Sequence, residues 1–320
     1  MDEILNSAVV FAIPMRNRFR GVTIREGVLL RGPAGWAEFA PFRDYADADA
    51  APWLRAALES ATTPWPEPLR ERVEINTTVP VVEPDRAYQL VSAAGCRTAK
   101  VKVADPGVPL AADVDRVAAV RQALGPSGRI RVDANGGWAV PEAIAAIAAL
   151  DAAAGGLEYV EQPCRTIPEL AAVRAAVTVP IAADESIRRE SDPLAVARAG
   201  AADIAVVKVA PLGGVRRALD IAARAGLPVV VSSAVDTAVG LAAGLALAGA
   251  LPALPYACGL GTRSLLTGGV STAEPEPAGG YLPVPAHAPE PDLVADHPAD
   301  PETTSYWLAR LRRVAVLVRS

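Results

Sequence analysis

Lys102, Asp133, Glu161, Asp184 and Lys208 each sit at the C-terminal end of a short run rich in β-branched residues. The runs are 98-TAKVKV-103, 129-RIRVD-133, 157-LEYVE-161, 179-VPIAAD-184 and 203-DIAVVK-208. The five residues lie 31, 28, 23 and 24 positions apart, roughly one strand-plus-helix unit each time. In a parallel β/α barrel the residues at successive strand ends converge on one mouth, where barrel enzymes place their chemistry. Three carboxylates there make a cage of hard oxygens for a divalent cation, and two lysines flank it as proton-transfer groups. A lone aspartate after a strand is ordinarily a helix cap or a surface carboxylate. Three on consecutive strands between two lysines are a site. With only 2 His and 3 scattered Cys in the chain, all-oxygen ligation favours Mg²⁺ or Mn²⁺ over zinc.

Several neighbours of these five have two readings each. Arg131 and Asn135 flank Asp133 at spacing two and share its face if the strand persists. Arg131 either pairs with a substrate carboxylate or forms an ion pair with an acid on the next strand. Ser232 and Ser233 end a later strand and either bind a carboxylate or cap the helix that follows.

Positioning these groups requires strands and helices in strict alternation from about residue 73 to 265. The strand-like runs are 73-VEINTT-78, the five above, 228-PVVVSS-233 and 256-YAC-258. Helical runs fall between them at 85–95, 111–124, 141–154, 167–176, 193–200, 214–226 and 238–249, several with Pro near the start and Gly past the end. The strands are continuously apolar rather than alternating, as expected when both faces are covered. Eight strands and seven intervening helices predict a TIM-like barrel over 73–265. A doubly wound sheet shares the alternation but gathers its ligands at one switch point rather than on five consecutive strands.

Residues 1–72 read differently: antiparallel strands at 21–32 and 35–42, then a helix near 47–60, an α+β unit of its own. The tail, 266–320, is rich in Pro and Gly until about 302 and ends in a helix over 304–318. A hydrophobic fraction of 51% is ample for a core. The net charge of −5, with Lys and Arg scattered, argues against a nucleic-acid groove or a polybasic membrane patch. The most apolar stretch, 238–254, is broken by Gly and Pro and reads as a barrel helix, not a span. Without a basic segment before an apolar core near its start, and with unpaired cysteines, the chain is expected in the cytoplasm with a small-molecule carboxylate as partner.

The motifs 100-KVK-102, 131-RVDANGGW-138, 159-YVEQP-163, 182-AADES-186 and 206-VVKVAPLGG-214 resemble the enolase superfamily, in the branch with Lys-x-Lys on the second barrel strand. Within it, 25-REGVLL-30, 36-WAEFAPF-42, 232-SSAVDTAVG-240 and 258-CGLGT-262 look most like the o-succinylbenzoate synthases. The resemblance implies a (β/α)₇β barrel under a capping domain built from the N-terminal region and the C-terminal tail. It implies Asp133, Glu161 and Asp184 as metal ligands, Lys102 and Lys208 as catalytic residues, and substrate contacts from Lys100, Arg131, Asn135, Ser232, Ser233 and Gly259. Arg18 and Arg20 would lie in a capping loop. The implied reaction is syn dehydration of 2-succinyl-6-hydroxy-2,4-cyclohexadiene-1-carboxylate to 2-succinylbenzoate, a step of menaquinone biosynthesis. Its alternatives in the same superfamily are racemisation of N-acylamino acids and epimerisation of dipeptides. From another class, the alternative is a non-catalytic barrel that binds a metal or ligand.

Removing a proton α to a carboxylate leaves a dianionic enediolate that needs concentrated positive charge, and a lysine base with a divalent cation is the known pattern of enolase-type sites. To accept a proton Lys102 must be neutral, and Lys100, two residues away on the same face, is expected to lower its pKa by repulsion. Dipeptide epimerases of the superfamily resemble one another in having acidic residues on the eighth strand for the substrate ammonium. This chain has Gly259, Leu260, Gly261 and Thr262 there, which by that resemblance disfavours a free-amine substrate but not an N-acylated one.

Overall fold

The structure is a computed structural model and describes residues 1–19, 21–187 and 192–319. Three antiparallel strands, β1 (Val9–Phe19), β2 (Val22–Gly32) and β3 (Gly35–Phe39), form the N-terminal sheet in that spatial order. The tight turn at Gly21 has φ +77° and the Gly35 turn φ +132°, conformations glycine adopts without strain. Strand β1 was not expected, because Pro14 interrupts its run. It is an edge strand, where a missing N–H is tolerated, and Pro14 still pairs in register with Ile24. The helix Asp47–Thr62 covers the sheet, burying Trp53 and Leu54 with Val28, Leu30 and Phe39.

The central sheet has seven parallel strands: β5 (Thr77–Val79), β6 (Thr98–Lys102), β7 (Arg129–Asp133), β8 (Tyr159–Glu161), β9 (Ile181–Ala183), β10 (Ile204–Val207) and β11 (Val229–Val231). Single bridges from Cys258 to Ile75 and from Gly259 to Ser232 join its two edges, so residues 258–259 stand where the eighth strand was expected. The fold is thus the TIM-like barrel that the alternation predicted, with the N-terminal cap that the family resemblance implied. The expected first strand, 73–78, is split. Its first half, β4 (Arg72–Glu74), pairs antiparallel with β12 (Tyr281–Pro283), and its second half, β5, pairs with β6 in the parallel sheet. The Pro- and Gly-rich tail supplies that partner, and its pairing leaves no periodic trace in sequence.

Helix boundaries follow their punctuation closely. Helices Pro84–Ala94, Val140–Ala154 and Ile167–Ala176 carry Pro in the first turn, and Gly95, Gly155 and Gly226 close theirs in the left-handed conformation. Helix Ala238–Ala250 is buried along almost its whole length, which accounts for its apolar composition. No helix of the described residues is long and apolar enough to cross a membrane. The last helix, Pro301–Arg319, returns to the N-terminal unit and packs Trp307, Leu311 and Val314 into the same core as Trp53 and Leu54.

Candidate active site

Strand register brings the charged residues together. Lys102 lies opposite Asp133, and Asp133 opposite Glu161, on adjacent parallel strands. Lys100 Nζ lies 2.8 Å from Asp133 Oδ2 and 2.5 Å from Glu161 Oε1. Lys102 Nζ lies 2.5 Å from Asp133 Oδ2 and donates to Asn135 Oδ1 at 2.6 Å. Across the mouth, Lys208 Nζ lies 2.6 Å from Asp184 Oδ2. All five of the leading residues therefore meet at one end of the barrel, together with Lys100, Asn135, Ser232, Ser233 and Gly259.

Burial and mutual charge set the protonation of this cluster. Desolvation pushes Asp133 up, but Lys100 and Lys102 override it and hold the carboxyl far below its usual range. Glu161, wholly buried and facing Asp133, is pushed up to about 8 despite Lys100. The two lysines diverge. Burial would lower both, yet Asp133 and Glu161 drive Lys100 well above the ordinary lysine value. Lys102 is lowered, by burial and by repulsion from Lys100, against the pull of Asp133. A depressed lysine beside a permanently charged one is an arrangement that can take up a proton.

Could the carboxylates hold a metal? Among the described residues no three His, Cys, Asp or Glu side chains are gathered tightly enough to enclose an ion, because the lysine ammonium groups occupy the space between them. The donor set nevertheless suits a hard divalent cation. It is all oxygen, deeply buried, and includes Glu161 Oε2, a buried acceptor with no hydrogen-bond partner. A carboxylate oxygen in that position calls for a cation.

Arg131 requires correction as a substrate contact. Its side chain is fully buried, donates to Glu158 Oε2 at 2.9 and 2.5 Å and to the Ala257 carbonyl at 2.8 Å, and stacks on Tyr159. All its reach is spent inside the barrel, where it neutralises Glu158. Arg20 lies outside the described residues.

The cap adds residues that the barrel motifs do not reveal. Phe19, at the tip of the β1–β2 hairpin, places its ring centroid 4.9 Å from Lys102 Nζ, and Phe42 lines the same mouth. The space left between these side chains is about 30 Å³, room for a single water. Gln162, which follows Glu161 directly, adds a link that residue type and spacing do not disclose. Its Oε1 accepts from the Asp184 and Ser186 amides, and its Nε2 donates to Ser186 Oγ and the Cys164 carbonyl. It fastens the end of β8 to the end of β9. Gln162 has φ +43°, and the other non-glycine residues of the described chain with positive φ are Ala104, Asn135 and Val235. All four follow a strand that ends in the site, so backbone strain is concentrated at the mouth.

Comparison with known proteins agrees with this geometry. Residues 84–289 match the family described as Enolase C-terminal domain-like, and residues 10–61 match Enolase N-terminal domain-like. The o-succinylbenzoate synthase of Thermobifida fusca is 56% identical over 94% of this chain and 93% of its own. That of Mycolicibacterium smegmatis is 54% identical over 97% and 96%. Among solved structures, the L-Ala-D/L-Glu epimerase from Bacillus subtilis superposes with a TM-score of 0.75 at 22% identity, covering 89% of this chain and 96% of its own. Muconate lactonizing enzyme from Pseudomonas putida gives 0.73 at 21%, covering 95% and 98%. The chain belongs to the enolase superfamily and, within it, to the o-succinylbenzoate synthase family.

Proposed function

We propose that this chain dehydrates 2-succinyl-6-hydroxy-2,4-cyclohexadiene-1-carboxylate to 2-succinylbenzoate, as a carbon–oxygen lyase of menaquinone biosynthesis. The observation that carries this reading is the opposed pair Lys102 and Lys208, flanking three buried carboxylates in a family of that activity. Lys102, with its lowered pKa, takes the proton from the carbon α to the carboxylate. The ammonium so formed stands on the same face as the departing hydroxyl and returns the proton to it, which makes the elimination syn. Lys208 faces the substrate from the other side and supplies positive charge. Lys100 stays charged beside Asp133 and Glu161, and its repulsion adds to burial in lowering the Lys102 pKa. Ser232 and Ser233, which follow β11 and line the mouth, would border the succinyl-bearing ring.

Members of this superfamily generally use a divalent metal. Asp133, Glu161 and Asp184 would hold it here, and the hard oxygen set favours Mg²⁺ or Mn²⁺. When bound, the ion supplies Lewis-acid stabilisation to the substrate carboxylate as negative charge grows on it. Residues 73–265 would form the catalytic barrel, with 1–72 and much of 266–320 as its cap.

Offered the hydroxycyclohexadiene carboxylate, the protein should produce the ultraviolet change of aromatisation. No change at any enzyme concentration would defeat the assignment. Chelation should abolish turnover and Mg²⁺ or Mn²⁺ should restore it; full turnover in excess chelator would defeat the metal reading. The same two lysines also suit racemisation of an N-acylamino acid, and exchange of the α-proton with deuterated solvent measures that activity directly.

A further inference from the structure

Two segments that the reaction does not use meet at the boundary between the N-terminal sheet and the barrel. One is Arg25 with Glu38, from β2 and β3, and the other is the turn 234–237 that follows β11. Arg25 is 2% exposed. Its Nε donates to the Val235 carbonyl at 2.9 Å and its Nη2 to the Ala40 carbonyl at 2.5 Å, while the guanidinium lies 4.9 Å from the Phe42 ring centroid. Beside it, Glu38 Oε2 accepts from the Thr237 amide at 2.9 Å, the Thr237 hydroxyl at 2.6 Å and the Gly240 amide at 3.3 Å, so the sheet caps helix Ala238–Ala250.

Val235 is the unusual member of this contact. It is β-branched, yet has φ +62°, a conformation that such residues avoid. Its amide is held by Ser233 Oγ at 3.1 Å and its carbonyl by Arg25. Val235 lines the catalytic mouth with Ser232, Ser233 and Phe42. One buried guanidinium thus fastens two parts of the substrate wall, Phe42 from the cap and the strained turn from the barrel.

We propose that Arg25 is a positioning residue for the dehydration: it holds Val235 in the left-handed conformation and so fixes the wall against which the substrate binds. Arg25 touches neither the lysines nor the three carboxylates named above. Its loss should therefore act on substrate binding and leave proton transfer largely intact. The inference rests on the proposed dehydration.

The test is a double-mutant cycle in the metal-loaded full chain. Arg25→Lys keeps the charge and the stem but loses the fork that spans two carbonyls. It should raise KM about tenfold, the factor expected when a non-glycine residue is released from the left-handed region. The change in kcat should stay within about threefold, because the reacting groups are not displaced. The decisive comparison repeats Arg25→Lys in Val235→Ala and Val235→Gly backgrounds. Both lose the two branch methyls; alanine keeps Cβ and with it the strain, and only glycine adopts the turn without strain. With alanine the KM effect should persist; with glycine it should shrink to about twofold or less. Equal effects in all backgrounds, an unchanged KM, or a variant that fails to fold would each overturn the proposal. Failure of the dehydration reading is distinct, since the unaltered protein would then not turn over the diene.

Discussion

Lys102→Ala is expected to leave essentially no dehydration. In the proposed reaction the same nitrogen removes the α-proton and then protonates the leaving hydroxyl, so one substitution removes two proton transfers. Each is typically worth about 10²–10⁴-fold, and no other described side chain is placed to replace Lys102 beside both Asp133 and Asn135. Lys208→Arg should behave differently. The charge near Asp184 persists, and partial dehydration should survive if the longer side chain is accommodated. A racemase would show another pattern, with Lys208→Arg abolishing exchange from one enantiomer only. Dehydration rates beside α-proton exchange in deuterated water separate the cases. Turnover that survives Lys102→Ala but not Lys208→Arg would exchange the roles assigned to the two lysines.

Asp184→Asn should cut turnover by at least about 10²-fold, the range for removing one electrostatic stabiliser. The change is nearly isosteric, and Asp184 is held in place through its backbone amide by Gln162, a bond that the substitution keeps. The fold should therefore persist, with the far-ultraviolet dichroism and melting behaviour of the parent. What changes is charge. One carboxylate is lost from the proposed cation set, and Lys208 loses its 2.6 Å ion partner. Calorimetric titration with Mg²⁺ should show weakened binding in step with the lost activity. Unchanged metal affinity together with an unchanged rate would make Asp184 a structural residue.

The parts of this molecule that sequence could disclose are those whose cause is local. Charged residues closing apolar runs at βα spacing have few explanations, and the structure gathers Lys102, Asp133, Glu161, Asp184 and Lys208 at one mouth. Helix limits were legible because proline and glycine act within a turn of where they stand. Long-range effects stayed hidden. Strand β1 was obscured by Pro14, which only an edge position excuses. The split of residues 73–78 depends on β12, some 200 positions later in the chain. Arg131 shared a face with Asp133 in the sequence pattern, yet deeper in the barrel Glu158 and the Ala257 carbonyl claim it. Phe19 and Phe42 carry no motif that would send them to the barrel, and the grip of Arg25 on Val235 joins residues 210 positions apart.

The return of helix Pro301–Arg319 to the N-terminal unit has a consequence for how a ribosome makes this protein. The face formed by Val28, Leu30, Phe39, Trp53 and Leu54 is completed by Trp307, Leu311 and Val314, and Trp307 Nε1 donates to Glu26 across the same boundary. Between the end of helix Asp47–Thr62 and the start of the last helix, 238 residues must be added to the chain. At translation rates of roughly 5–20 residues per second, that face waits roughly 12–48 s without its partner. The barrel strands emerge during the delay and can pair in order, each with the one before. The sheet that precedes the barrel is thus sealed only after the barrel has been made, and a chaperone that shields newly made apolar surface has its longest task there.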